Sequence, residues 1–539
     1  MAGLHQLEII ILLLALVLLL TTLAQRLVIP YPILLVVGGL GLALVPGLPV
    51  IRLDPDLVFL VFLPPILWAA AYFTSLREFR QNVRPISLLA VGLVLATTAV
   101  VAAVARLVFP GMGWAEAVAL GAIVSPPDAI SATAIARRLR IPRRGVVILE
   151  GESLVNDATA LIVYRAAIAA VVSGGFVLGE TLQHFVIAAA GGILIGLAVG
   201  MLIRWVLPRM ADTFTEIAIT LLAPYVAWVL AEHVHGSAVL ACVTGGLYVR
   251  RHFSAIVRPT TRLQARAVWD VLVFLLNGTI FILLGLQLGA LRQSILPGQF
   301  ERLLLAGLGI SGIAIVVRLI WVPLAAWIPR AMSHALRERD PMPPWSYLFI
   351  IGWGGMRGIV TLAAALALPL TTAAGAPFPF RTEIILVSFV VILVTLVLQG
   401  LSFAPLIRLL QVEEDRGLEQ EEMLARERAA AAALERLDEL GRDGRHHGRI
   451  VPGQHARLRD HYGRRAQRFA ASGTVDPECT REAAEADRWL RYEALHAERT
   501  ALIALRNDGT ISDEVLHRLE HELDVEALRL GLSERRGES

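Results

Sequence analysis

The chain has 539 residues, of which 56% are hydrophobic and 18% charged, with a formal net charge of +3. A mean hydropathy of +0.64 is far too apolar for a soluble protein with a polar surface, so the composition points to a membrane protein. Two cysteines, Cys242 and Cys479, exclude a disulfide framework and lack metal-ligand spacing, and all 49 basic residues are arginine.

Thirteen apolar segments follow in chain order, at roughly 7–28, 31–49, 57–75, 86–108, 114–136, 147–172, 182–207, 214–232, 236–250, 268–290, 302–329, 346–370 and 382–411. The first begins after "MAGLHQ", which lacks the positive n-region of a cleaved signal peptide, so it reads as a retained helix. Arginine is concentrated in alternate loops. Those after segments 3, 5, 7, 9 and 11, such as "ARRLRIPRRG" and "PRAMSHALRER", together hold 18 arginines. Cytoplasmic loops carry this excess, which predicts N-out, C-in.

Segment 5 is interrupted by "SPPDA" and segment 12 by "GWGGMRG". Paired prolines remove backbone donors and clustered glycines loosen a helix, and a bilayer tolerates both only beside protein partners or a cavity. Matching segments 1–6 to 8–13 at an odd offset makes the second copy inverted and makes 5 and 12 partners. Inverted repeats with broken helices are a feature of secondary transporters.

From Val412 the chain turns polar. Residues 1–411 hold 28 Arg against 18 acidic residues, and residues 412–539 hold 21 against 28. The expectation is a transmembrane domain, 1–411, and a cytoplasmic helical regulatory tail, 412–539, with further amphipathic stretches near 455–471, 478–505 and 511–531. Seven of the 13 histidines lie in the tail. They read mainly as solvated side chains, with His446 and His447 the candidates for a pH-sensing role.

Of seven aspartates before residue 412, only Asp128 and Asp157 lie deep in apolar segments. Measured from the flanking arginines at ~1.5 Å per residue, both fall near mid-membrane. A charge there costs at least ~2.5 kcal/mol, so it marks a functional site. In "GESLVNDATALIVYR" helical spacing puts Glu152, Ser153, Asn156 and Asp157 on one face, as the two columns Glu152–Asn156 and Ser153–Asp157. Glu152 needs a cationic partner, and Arg357 in "GGMRG" is the candidate, forming a structural ion pair. Arg318 reads as a packing or snorkelling residue. Hard monovalent cations take carboxylate, amide, hydroxyl and unwound carbonyl oxygens. A carboxylate taken out of water needs a proton or a cation to be neutralised, and competition between the two is enough for exchange.

At these residues a resemblance emerges. "EGESLVNDATALIVYR", "GAIVSPPDAISATAIARRL" and "GWGGMRGIVTLAAALALP" resemble, in order, the helix 6, helix 5 and Gly-Arg-Gly motifs of bacterial sodium/proton exchangers of the cation:proton antiporter-1 family. "LVFLPPILWAAAYF" and "LLNGTIFILLGLQL" are similar in style, so the resemblance spans roughly residues 7–411. It implies an all-α membrane fold of thirteen transmembrane helices, inverted repeats, crossing broken helices 5 and 12, and a homodimer working by an elevator-like movement. By motif, Asp128 and Asp157 are the ion and proton carboxylates and so the ligands of the monovalent cation. Ser153 and Asn156 are further ligands, and Glu152 with Arg357 forms the stabilising pair. Asn156–Asp157 in place of two aspartates, with no lysine, implies electroneutral sodium/proton exchange in the cytoplasmic membrane, serving pH regulation. Pro127–Asp128–Ala129 stands where the family often has Thr-Asp-Pro, so a threonine ligand is missing, and Ala69 stands where some members have a glutamate.

The alternatives are a potassium/proton antiporter, a cation channel and, as an enzyme, an intramembrane aspartyl protease, whose motifs "PPDA" and "VNDA" do not match. The reading is therefore of a transporter and not an enzyme, with a monovalent cation, a proton and membrane lipid as partners. No cofactor and no nucleic acid are implied, and no Gly-rich phosphate loop is present.

Overall fold

The computed structural model describes residues 2–27, 29–45, 54–128, 132–133, 136, 141–173, 178–210, 212–257, 259–293, 298–412, 417–442, 452–471 and scattered positions between 494 and 526. The chain divides into two compact units, Met1–Asp415 and Arg416–Ser539.

Among its described residues the first unit is helical, apart from a short turn region with one β-bridge, Thr371 to Pro377. Its helices are α1 (Ala2–Leu27), α2 (Tyr31–Ala43), α3 (Pro55–Phe73), α4 (Val83–Val108) and α5 (Trp114–Val124). Then come α6 (Arg143–Ser173), α7 (Leu178–Val206), α8 (Thr213–His233), α9 (Ala238–Ile256) and α10 (Pro259–Gln293). The last are α11 (Gln299–Met332), α12 (Trp345–Trp353), α13 (Ile359–Leu366) and α14 (Arg381–Leu409). Eight helices among the described residues are long and apolar enough to cross a membrane, namely α3, α4, α6, α7, α8, α10, α11 and α14. The predicted segments 1, 2 and 5 carry shorter apolar helices, and segment 12 is split between α12 and α13. The end of segment 5 and the loop after it, with Arg137, Arg138 and Arg140, fall largely outside the described residues.

Sequence chemistry explains where these helices start and bend. Asp212 and Ser237 cap α8 and α9, accepting from the backbone N–H of Thr215 at 2.9 Å and Leu240 at 3.3 Å. Proline and a polar insertion widen three helices into π turns, at Val58–Phe62 before Pro64, at Leu88–Leu93 after Pro85, and at Thr395–Gln399 in α14. Trp321 in α11 donates its indole N–H to the carbonyl of Leu88 at 3.0 Å, satisfying the second of these.

The main packing pairs are α7 on α9, α2 on α10, α4 on α5, α5 on α6 and α11 on α14. Small residues permit the closest approaches, as at Gly285, where a Cβ would fall 2.2 Å from the carbonyl oxygen of Val36. Leucine, valine and tryptophan side chains elsewhere on the helices face outward, as lipid-contacting surfaces do, among them Leu19, Leu194, Trp205 and Leu222.

In the second unit α15 (Gly417–Arg442) and α16 (Pro452–Ala471) pack together. Arg459 bridges Asp438 at 2.7 Å, and a ring nitrogen of His455 lies 2.8 Å from the Leu437 carbonyl. His446 and His447 lie outside the described residues, as do most of the stretches 478–505 and 511–531.

Candidate functional site

The site is built where two helices stop in the middle of the unit. α5 ends at Val124, and Pro126 and Pro127 hold the chain extended to Asp128. α12 ends at Trp353, and "GGMRG" runs without helix until α13 begins at Ile359. The two breaks meet. The backbone N–H of Asp128 donates to the carbonyl of Met356 at 2.6 Å, and Arg357 Nε donates to the carbonyl of Val124 at 3.1 Å.

A break in a helix leaves carbonyls without their usual N–H partners, and burial makes each of them costly. Here side-chain donors replace the helix. Arg318 of α11, 1% exposed, donates Nε to Gly352 O at 3.1 Å and Nη2 to Ile351 O at 3.2 Å. Arg357, also 1% exposed, donates to Gly355 O and Val124 O, while its backbone N–H reaches Thr395 Oγ1 at 3.1 Å, on the π turn of α14. Asn156 Nδ2 donates to Pro127 O at 2.9 Å. Arg381 closes the far end of α13 by donating to Leu366 O and Leu368 O. Arginine suits the task, since one planar group carries five donors.

This arrangement corrects the expected ion pair. Glu152 is held by Arg318, not by Arg357: both Nη groups of Arg318 engage the two carboxylate oxygens, with Nη2 to Oε2 at 2.8 Å. Arg357 turns its guanidinium onto the carbonyls of the breaks, and Arg318 reaches Glu152 from the neighbouring helix α11. Arg318 is therefore neither snorkelling nor merely packing.

The polar face of α6 divides along its two columns. Ser153 and Asp157 line a cavity of about 730 Å³, together with Asp128, Pro126, Gly358 and Thr361. Glu152 and Asn156 point to the other side, 1% and 0% exposed, and do not line it. Of the six site residues read from the sequence, the fold thus brings Asp128, Asp157 and Ser153 to one cavity. The other three, Glu152, Asn156 and Arg357, form the scaffold around the breaks. Asn156 Nδ2 accordingly props the Pro127 carbonyl, while its buried Oδ1 makes no hydrogen bond among the described residues.

Further side chains line the same cavity without having been singled out from the sequence. Tyr31, Asn277 and Thr361 belong to its wall, and Arg250, Arg262, Arg266, Glu150 and Asp270 lie toward the arginine-rich end. Arg250 sits 5.8 Å over the ring of Tyr72, and Arg266 sits 5.8 Å over Phe73. A second cavity of about 880 Å³ is lined by the other half of α6, including Leu161, Tyr164 and Arg165, with Glu232 and His235 across from them. Arg165 pairs with Glu232 there at 2.7 Å. Asp157, in the first cavity, and Leu161, in the second, are one helical turn apart, about 6 Å along the axis. The two cavities therefore meet α6 about one turn apart, the first at Asp157 and the second from Leu161 onward. Among the described residues no group of three or more His, Cys, Asp or Glu forms a metal cluster.

Comparison with known proteins identifies the family of the chain. Residues 11–409 match the family described as "Sodium/hydrogen exchanger, transmembrane". An uncharacterized Na+/H+ exchanger of Mycobacterium tuberculosis is 36% identical over 535 residues, covering 97% of this chain and 96% of the relative. A low-affinity Na+/H+ antiporter of Synechocystis is 32% identical, with 76% of each chain covered. A sodium, potassium, lithium and rubidium/H+ antiporter of Bacillus subtilis is 32% identical over 69% of this chain and 56% of its own length. Among solved structures, a sodium proton antiporter of Methanocaldococcus jannaschii has the same fold, with a TM-score of 0.60 at 19% identity over 77% of this chain and all of the other.

Proposed function

Since the chain belongs to the sodium/hydrogen exchanger family, and so is a multi-pass membrane transporter and not an enzyme, we propose that it exchanges sodium for protons. Asp128 and Asp157 are the exchange carboxylates, and Ser153 is a helper ligand. The observation that carries this reading is their convergence on one cavity while the nearby buried arginines are engaged elsewhere. Cation and proton compete for the same oxygens, and each neutralises a carboxylate that burial would otherwise penalise.

Exchange requires that the site open to one side at a time. With the arginine-rich loops cytoplasmic and the N-terminus outside, the cavity holding Asp128 and Asp157 opens inward and the second cavity belongs to the outward route. The barrier between them is about one turn of α6. The helix pairing of an inverted repeat, thirteen spans with crossing broken helices 5 and 12, and a homodimer in the cytoplasmic membrane with a cytoplasmic regulatory tail complete the proposal. Exchange is electroneutral, because Asn156 supplies no second charge beside Asp157 and lysine is absent from the chain.

Potassium is the second reading, favoured by the printed specificity of the Bacillus subtilis relative, which includes potassium and rubidium. Proton flux in everted membrane vesicles, challenged in turn with sodium, lithium and potassium, separates the two. Sodium should dissipate an imposed pH gradient with no change of membrane potential. If potassium alone does so, the second reading replaces the first, and if no cation does so the exchanger reading fails.

A further inference from the structure

Backbone carbonyls set free by the helix breaks are the oxygens a dehydrating cation would be expected to use. Here many of them are already engaged. Gly352, Ile351, Gly355 and Val124 accept from arginines, Pro127 accepts from Asn156, and Met356 accepts from the N–H of Asp128. On the α13 side the break offers the start of a helix, where N–H groups and not carbonyls are unpaired. A cation beside Asp128 must therefore take its shell mainly from side chains.

Thr361 meets that need. It lies in the first turn of α13, lines the cavity and is 1% exposed. Its Oγ1 is sealed from water and makes no hydrogen bond among the described residues. A helical threonine or serine hydroxyl ordinarily returns to the carbonyl one turn back, as Thr395, Ser402 and Ser311 do in this protein. One turn before Thr361 the chain is in the break, and that bond is not made. Gly358, three residues earlier on the same face, carries the carboxylate of Asp128: a Cβ there would fall 2.0 Å from Oδ2. The hydroxyl is thus about one helical turn from Asp128. Other orphaned hydroxyls, on Thr97, Thr98 and Ser388, do not line this cavity.

We propose that Thr361 is a ligand of the transported monovalent cation, its hydroxyl oxygen completing the shell supplied by Asp128, Asp157 and Ser153. As a neutral ligand it adds affinity without altering the charge balance of exchange. The assignment rests on the exchanger reading above.

The test uses the full-length protein reconstituted in proteoliposomes, with proton flux followed against sodium, lithium and potassium concentration. Thr361→Val keeps the shape and removes the oxygen. It should raise the apparent KM for the transported cation about tenfold or more, with the maximal rate largely kept. Thr361→Ser, which retains the hydroxyl, should behave as wild type. A sodium-dependent rise in Tm, seen in wild type and Thr361→Ser, should be lost in Thr361→Val, and Thr361→Ala serves the same purpose should the valine variant not fold. An unchanged KM and Tm response in the variants lacking the hydroxyl would overturn the assignment. So would a serine variant as defective as valine, which would indicate packing by the methyl group. A wild type with no cation-driven flux would instead sink the exchanger reading itself.

Discussion

Two pairs of residues on one helix, Glu152–Asn156 and Ser153–Asp157, are one position apart in sequence and differ completely in their surroundings. Glu152 is fixed by both Nη groups of Arg318, and Asn156 is fixed to the carbonyl of Pro127. Ser153 and Asp157 open onto a cavity that also holds Asp128. The difference shows how a membrane protein can afford charge in its interior. Polar groups on the Glu152 column hold the broken helices in place, and the rigidity they give leaves the Asp157 column available to bind and release.

Variants on each side should separate stability from transport. The largest effect on stability is expected for Arg318→Met, which strands the Glu152 carboxylate and two carbonyls. It should cost about 3–5 kcal/mol, read from thermal unfolding in detergent. Arg318→Lys should recover little of this, because one ammonium cannot reproduce the fork. Arg318→Met with Glu152→Leu should recover much of it, since no buried charge is then left alone. Arg357 variants equal in cost to Arg318 with respect to Glu152, shown by a double-mutant cycle, would restore the partner expected from sequence.

Asn156→Ala should come next, at about 1–3 kcal/mol for a buried carbonyl left unpaired at Pro127. Any exchange it retains should keep the wild-type KM for cation. A raised KM with unchanged stability would move Asn156 back among the ligands.

Asp340, on the arginine-rich side between α11 and α12, gathers Arg84, Arg144 and Arg330 at 2.6–2.8 Å. Hydrogen bonds from Arg144, reinforced by Arg330 and Arg84, hold its carboxyl well below the usual carboxylate range. In the unfolded chain the same group titrates near pH 3.9, to within about a unit. A depressed folded value means that the stabilisation is complete above that pH and is lost as pH falls below it. The Tm gap between wild type and Asp340→Asn should be constant from about pH 5 to 8 and shrink below about pH 4. A gap that widens on acidification would contradict this. The smallest effect is expected at the exposed Arg165–Glu232 pair, where Glu232→Gln should change stability by about 0–1 kcal/mol.

Much of this was legible before the structure. The apolar segments, the two interruptions at "SPPDA" and "GWGGMRG", and the isolation of Asp128 and Asp157 all follow from bilayer physics, which penalises each departure from an apolar helix. The partner of Glu152 was not legible. Arg318 and Arg357 both lie within apolar segments and have identical chemistry, and only the packing of α11 against the break decides between them. The role of Asn156 was hidden for a related reason, since helical spacing gives the face but not which half of it meets a cavity. Thr361 carried no signal, because a threonine in an apolar helix normally bonds its own backbone, and what sets it apart is the missing carbonyl one turn before it.

The most direct test of the account is cation-driven proton flux in proteoliposomes carrying Asp157→Asn, with thermal stability measured on the same preparation. The account predicts no exchange with sodium, lithium or potassium and a Tm close to that of wild type, because Asp157 makes the cavity reactive without holding the fold together. Normal exchange by this variant, or loss of exchange only through loss of the folded protein, would contradict it.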